Sequence, residues 1–337
     1  VNPPLAPSLT PSLTGMLAAA SVAPGDVVSC VPLAGGTYNA VSRVALRDGR
    51  RWVVKQPPPG GAGSALAYEH DLLRGESVYD RAAAGIPGVP VPRVVHADLD
   101  GDPPLVSGLL MTECPGTPWH EVDENLDDSE RARLRAELGS MVARLHTLTC
   151  RGFGYPARPF GPPRDTWREA FTDMTDAILA DAERYEAELP RPVAAVRKTI
   201  AAAAGVLDDV TRPVLVHFDL WQGNILLDGP PGQRRIGGII DGERMFWGDP
   251  VAEFVSLALF GDIEEDEAFL AAYGATAGGT VEFTDSVRLR LALYRAYLYL
   301  IMLVEPVPRR YSPERRAWAW EHAGGALTQA LDAVAAH

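Results

Sequence analysis

Two rhythms of apolar positions divide the chain. Up to Thr112 the apolar residues fall in short runs, Val27–Leu33, Ala40–Arg47, Arg51–Gln56, Val94–Ala97 and Leu105–Thr112, with the length and alternation of β-strands. Asp48-Gly49 separates the second run from the third and predicts a tight hairpin, since such turns need residues that accept a left-handed backbone. Gly35-Gly36 marks the turn before it. A short helix is predicted over Thr10–Ala20, behind a Pro/Ser-rich lead expected to lie loosely on the surface. Pro57–Gly63 breaks the strand pattern, and a helix follows over Ser64–Ala84 with a bend at Gly75. Val89-Pro90-Val91-Pro92 must be extended, because a proline disfavours helical geometry in the residue before it.

Beyond the turn-rich connector Glu113-Cys114-Pro115-Gly116-Thr117-Pro118 the period changes to helical. Leu134, Leu138, Met141 and Leu145 share one face of a helix over Asp128–Thr147, with Asp128 or Ser129 as its cap. Further helices are predicted at Arg164–Leu189 and Pro192–Val206, and a hairpin-like insert at Val214–Asp241 turns at Pro230-Pro231-Gly232. Leu291–Val304 is the longest apolar run, but it holds Arg295 and three tyrosines and falls short of the roughly 20 residues a membrane span needs, so it reads as a buried helix. The expected class is α+β in two lobes: residues 1–113, β-rich, and residues 114–337, mainly helical.

Composition narrows the partners. With 337 residues, 47% hydrophobic and 22% charged, the chain has ample material for a core. Its net charge of −13 argues against nucleic acid, whose phosphates call for a positive surface, and is compatible with a cationic substrate. Cys30, Cys114 and Cys150 are widely spaced, without a CxxC or Cys/His pair, which suits a reducing cytoplasm. The first residues show neither the basic segment nor the continuous apolar core of a signal peptide.

The chemistry is concentrated in Val216-His217-Phe218-Asp219-Leu220-Trp221-Gln222-Gly223-Asn224-Ile225-Leu226-Leu227, followed by Ile239-Ile240-Asp241-Gly242. Two apolar strands present Asn224 and Asp241 at one end of a hairpin. Phosphoryl transfer needs one carboxylate for the attacking hydroxyl, and a second carboxylate plus an amide oxygen to hold Mg²⁺ on the nucleotide phosphates. Asp219, Asn224 and Asp241 supply each role once. Any one of these residues alone would be an ordinary turn residue; the string with His217 and its flanking strands is specific.

The spacing His217-x-Asp219-x-x-x-x-Asn224, then Ile240-Asp241 and Gly248-Asp249-Pro250, resembles the aminoglycoside phosphotransferase/choline kinase-like superfamily, small-molecule kinases with a protein-kinase-like fold. The resemblance implies ATP and Mg²⁺ as cofactors, Asp219 as catalytic base, Asn224 and Asp241 as metal ligands, His217 as a brace for the catalytic loop, and Asp249 as a support through hydrogen bonds to backbone. Phe218 departs from the glycine frequent in the family, and Gly242-Glu243 from its usual aromatic and carboxylate; Glu243 is a further metal-site group or a polar loop residue. Trp221 is shared with fructosamine kinase-like members.

In that context Gly35, Gly36 and Thr37 are expected to cover the phosphates, and Lys55, closing the run Trp52-Val53-Val54, to grip them. Lys55 needs an acidic partner on the following helix; Glu76 is preferred over Glu69, seven residues away on the same face. Met111, Glu113 and Cys114 would line and hydrogen-bond an adenine. His146 is read as structural, and Trp167, Asp173, Asp176, Glu253, Asp262, Glu264, Glu265 and Tyr297 as candidates for the substrate side. The acceptor is expected to be an antibiotic, such as an aminoglycoside or another hydroxylated natural product, with a metabolic kinase of sugars, amino alcohols or nucleoside-like compounds as the alternative. A non-catalytic binding module is disfavoured by the intact Lys55, Asp219, Asn224 and Asp241. A protein kinase is disfavoured by the absence of the His-Arg-Asp, Asp-Phe-Gly and Ala-Pro-Glu strings.

Overall fold

The computed structural model describes residues 9–33, 38–57, 66–100, 108–156 and 160–337. The alternating runs of the first half form strands β1 (Val27–Pro32), β2 (Ala40–Leu46), β3 (Arg51–Gln56), β4 (Val94–Asp98) and β5 (Gly108–Thr112). They make one antiparallel sheet in the order β1-β2-β3-β5-β4. The hairpin between β2 and β3 turns at Gly49, whose φ of 88° explains the glycine. Helix α1 (Pro11–Ala19), capped by Thr10, covers one face of the sheet, with Leu13, Met16 and Leu17 packed on Val44, Trp52 and Val54. The lead ahead of residue 9 lies outside the described residues.

Helix α2 (Leu72–Ala83) touches the sheet through Leu73, which joins Leu99, Leu109 and Met111. It is shorter than the helix read from sequence. Ala67–Asp71 is a separate 3₁₀ turn, and the break falls at Asp71 (φ −140°, ψ 34°), not at Gly75. Gly75 is there for clearance: a Cβ would stand 2.8 Å from the Glu243 carbonyl oxygen.

The remainder is mainly helical: α3 (Trp119–Val122), α4 (Asp128–Leu145), α5 (Trp167–Arg184), α6 (Val193–Ala203), α7 (Glu253–Leu257), α8 (Glu267–Ala277), α9 (Asp285–Val304), α10 (Pro313–Ala319) and α11 (Gly325–Ala335). Helix α4 is capped by Asp127, whose side chain accepts from Glu130 N–H at 2.8 Å, one residue before the expected cap. Extended backbone at Asp127 (φ −77°, ψ 165°) decides this, since a cap must lie outside the helical region. Most of α9 from Leu291 onward is buried, as its apolar run implied, and no described helix is long and apolar enough to cross a membrane.

Between the helices lie two small sheets. Strand β7 (Val214–Val216) pairs with β10 (Phe246–Gly248). The hairpin β8 (Ile225–Asp228) and β9 (Arg235–Ile239) carries a third, two-residue strand, β6 (Thr117–Pro118), on its edge. The connector reaches this hairpin because glycines let backbones meet. A Cβ on Gly116 would lie 2.7 Å from the Leu227 carbonyl, one on Gly237 2.4 Å from the Pro115 carbonyl, and one on Gly238 2.5 Å from the Cys114 Cβ. The chain leaving the large sheet is thus pressed flat against the hairpin.

Helices α4 and α8 cross just as closely: a Cβ on Gly139 would sit 2.3 Å from the Phe269 carbonyl oxygen. Gly139→Ala should therefore destabilise by about 1–3 kcal/mol despite alanine's better helix propensity. A urea midpoint that is unchanged or raised would show that α8 can shift away.

Candidate active site

The turn from β7 carries His217, Phe218 and Asp219, and its shape is held from behind. Glu253, at the start of α7 and fully buried, accepts from His217 N–H at 2.7 Å and Phe218 N–H at 3.0 Å. Ser256 one turn on accepts from Leu220 N–H at 3.0 Å. Phe218 has φ 61°, the left-handed region that a phenylalanine adopts only under constraint. The constraint is visible: its ring is completely buried, 5.0 Å from Phe246 and 5.6 Å from Tyr297. His217 Nδ1 accepts from Asp219 N–H at 3.2 Å, so Nε2 must carry the proton it offers to the Ile240 carbonyl at 2.9 Å. One imidazole thereby ties the Asp219 turn to the strand that delivers Asp241.

Asn224 and Asp241 meet at the end of the β8–β9 hairpin, as their spacing implied. The Asn224 amide nitrogen donates to the Asp219 carbonyl at 2.8 Å, which leaves its oxygen as the free end. Asp241 has a left-handed backbone (φ 67°) and pairs with Lys55, which also binds Glu76 Oε1 at 2.7 Å. Glu69 does not compete: it sits in the 3₁₀ turn and pairs with Arg309 at 2.6 Å. Helical spacing could not separate the two because Glu69 is not on the helix.

Charge is tightly matched here. Burial alone would lower the Lys55 pKa, but Asp241, then Glu76 and Glu243, hold it well above the ordinary lysine value. Burial pushes Glu76 up to about 6 against the pull of Lys55. Asp241 is held below the usual carboxylate range because Lys55 outweighs its burial. Glu243 accepts from Asn39 Nδ2 at 3.0 Å, and burial and then Asp241 raise its pKa to about 8. Burial also raises Asp219, opposed by Arg244 and aided by Asp241.

Arg244 was not singled out from sequence. Its guanidinium stands 3.6 Å from Asp219 and 2.6 Å from Glu305, with little exposure. The only signal was its place three residues after Asp241; its partner Glu305 lies 61 residues away at the end of α9.

The other expectations divide. Met111 is buried in β5. The Glu113 carboxylate is taken by Arg43 at 2.5 Å and Arg51 at 2.6 Å, and its N–H by the Arg51 carbonyl, so of this residue the carbonyl is what can face a base. Cys114 is partly buried, its thiol pushed up to about 12 by burial and by Asp80 and Glu113. Gly35, Gly36 and Thr37 lie outside the described residues. Asp249 caps the turn after β10 through Val251 N–H at 3.0 Å and also binds Tyr294 and Arg290. His146 bonds Tyr273 in the core at 2.8 Å.

Of the residues suggested for the substrate side, Trp167, Tyr297 and Glu253 are corrected: all are buried, bonded to Tyr294, Tyr155 and the catalytic turn respectively. Asp173, Asp176 and Glu264 are spent on Arg164, Arg197 and Arg288. Asp262 and Glu265 do line a recess, of about 590 Å³, adjoining Trp221. Beside Asp219 itself lies a cleft of about 400 Å³, walled by Trp221, Leu298, Met302, Arg315 and Trp318.

An antiparallel sheet and a helical half, meeting over a lysine–glutamate pair and an Asp/Asn/Asp turn, make a protein-kinase-like α+β fold. The chain belongs to the phosphotransferase enzyme family, whose sequence model matches residues 29–292. It is 26% identical over 307 residues to a ketoamine kinase, described as probable, of Staphylococcus aureus (83% of this chain, 88% of that one), and 29% identical over 205 residues to an aminoglycoside 3'-phosphotransferase of Streptomyces fradiae (56% and 68%). A provisionally named fructosamine-3-kinase from Thermobifida fusca shares the fold, with a TM-score of 0.63, 23% identity and coverage of 90% and 94%. The protein is accordingly a nucleotide-using kinase that phosphorylates an alcohol group of a small molecule.

The Glu253 carboxylate accepts from two backbone N–H groups, so Glu253→Gln should cost about 1–3 kcal/mol, because the amide turns a donor toward one of them. Burial would raise the Glu253 pKa, but His146 and His217 and the backbone bonds hold it below its ordinary value. Its stabilisation is present above the unfolded value of about 4.3 and lost as pH falls through the lower folded value. Denaturation curves of both proteins from pH 7 down to pH 3 should converge; a constant gap would contradict the assignment.

Proposed function

We propose that the protein transfers the γ-phosphoryl group of ATP to a hydroxyl of a small molecule in one in-line step, with Mg²⁺ on the nucleotide. The observation that carries this reading is that Asp219, Asn224 and Asp241 line one cleft, which the Lys55–Glu76 pair joins through the Lys55–Asp241 contact.

Asp219 takes up or orients the acceptor proton as the acceptor oxygen bonds to phosphorus and the bond to the ADP oxygen breaks. Burial raises its pKa, which strengthens it as a proton acceptor. Asn224 and Asp241 would hold the metal: both offer oxygen, the donor a hard cation prefers, and the Asn224 oxygen is left free by the bond its nitrogen makes. Bound there, Mg²⁺ supplies positive charge to the phosphate oxygens. Lys55, kept charged by its carboxylates, neutralises phosphate charge from the sheet side, and Met111, Glu113 and Cys114 receive the base. His217 braces the turn and Asp249 its far end. On this reading the lobes divide after Glu113, into residues 1–113 and 114–337, and the enzyme works in the cytoplasm, where ATP is available and its thiols stay reduced.

The acceptor is an antibiotic or other hydroxylated natural product, or a metabolite of the ketoamine kind; the two named curated relatives divide between these groups. Asp219→Asn should reduce kcat by about 10²–10⁴-fold while Mg-ATP affinity stays within roughly threefold of wild type. A coupled ADP-release assay with isothermal titration reads both. Near-normal turnover in the variant would remove Asp219 from the chemistry.

A further inference from the structure

The cleft beside Asp219 carries a chemistry that the net charge of −13 conceals. Three carboxylates line it, and each is already answered. Asp241 pairs with Lys55, Asp219 faces Arg244 at 3.6 Å, and Glu305 binds Arg244 at 2.6 Å and Arg309 at 2.9 Å. Each lining carboxylate is thus within reach of a cation, although Lys55 also serves Glu76 and Arg309 also serves Glu69. Arg315 is the reverse case: it lines the cleft, is exposed, has its guanidinium 4.2 Å from the centre of the Tyr311 ring, and among the described residues has no carboxylate partner.

Two indoles complete the walls. Trp221 and Trp318 are among the few large apolar side chains left exposed, at 38% and 49%. Neither is loose. The Trp221 ring lies over Gly223, where a Cβ would be 2.1 Å from it, and its centre is 5.2 Å from that of the His120 ring. Trp318 stacks on His322 at 4.5 Å. Two exposed indoles beside Asp219 offer flat apolar faces to a ligand.

From these features we infer that the acceptor is a hydroxylated small molecule with an apolar or aromatic face and an anionic group, not a polycation. The inference rests on the kinase reading and narrows its substrate. The flat face lies against Trp221 and Trp318, the anion pairs with Arg315, and a hydroxyl reaches Asp219. A polyamine sugar in the same place would bring ammonium groups beside Arg244 and Arg315, a like-charge contact that works against it.

The test uses the full chain with Mg²⁺ and a non-hydrolysable ATP analogue, titrated calorimetrically with three probes. These are 4-nitrophenyl β-D-glucuronide, its neutral twin 4-nitrophenyl β-D-glucoside, and the aminoglycoside kanamycin. The glucuronide should bind about 10-fold more tightly than the glucoside, with kanamycin weakest. Arg315→Ala should erase the difference between the twins and Arg315→Lys should keep most of it, which separates loss of charge from damage to the fold. Tightest binding by kanamycin, equal binding of the twins, or binding of none of the three at millimolar concentration overturns the inference. Failure of the kinase reading would appear separately, as absence of Mg-ATP binding in a titration without acceptor.

Discussion

A lysine ammonium buried between carboxylates sets the geometry on which everything else depends. Lys55 leaves water almost completely, and that loss is offset only when Glu76 and Asp241 are both in place. The three residues come from β3, α2 and the end of β9, so the cluster forms only when the sheet, its helix and the catalytic hairpin are assembled together. Gly75 lets α2 approach the loop after Asp241, and the His217 imidazole links that strand to the catalytic turn. The arrangement is one electrostatic knot with a structural arm to each part of the fold.

Behind the knot a second buried carboxylate works in the opposite sense. Glu253 meets no arginine; it answers backbone N–H groups, and it keeps Phe218 in a conformation that a side chain of that size avoids. A left-handed phenylalanine is tolerated because its ring fills a pocket formed by Phe246 and Tyr297. The turn that presents Asp219 is therefore stiff from both sides, by hydrogen bonds on its backbone and by packing on its side chain. Preorganisation of this kind is what a phosphoryl transfer requires, since positioning and electrostatics carry most of the acceleration.

Much of this was legible in the sequence. Strand alternation located β1 to β5, Asp48-Gly49 located the β2–β3 turn, and the spacing of Asn224 and Asp241 brought them to one end of a hairpin. These are local patterns, and local physics reads them. What could not be read depends on partners distant in the chain. Arg244 and Glu305, Glu69 and Arg309, and Glu253 and the catalytic turn are each polar residues whose roles only tertiary contact decides. Trp167 and Tyr297 were placed on the substrate side for the same reason: an aromatic with a polar tip fits a wall or a core, and here the Tyr294 and Tyr155 hydroxyls inside the core satisfied those tips. Net charge is blind in the same way: it counts carboxylates without recording that those lining the cleft sit beside cations.

The glycine seam between the connector and the hairpin bears on how such an enzyme can diversify. Gly116, Gly237 and Gly238 admit no side chain without displacing their close neighbours, while Trp221, Arg315 and Trp318 are exposed on the wall of the cleft. Sequence change is therefore partitioned across the cleft. The connector is locked by close backbone contact, and the exposed wall of the cleft is free to exchange one surface for another. A lineage can acquire a new substrate by altering a few exposed residues while the machinery that handles phosphate stays as it was.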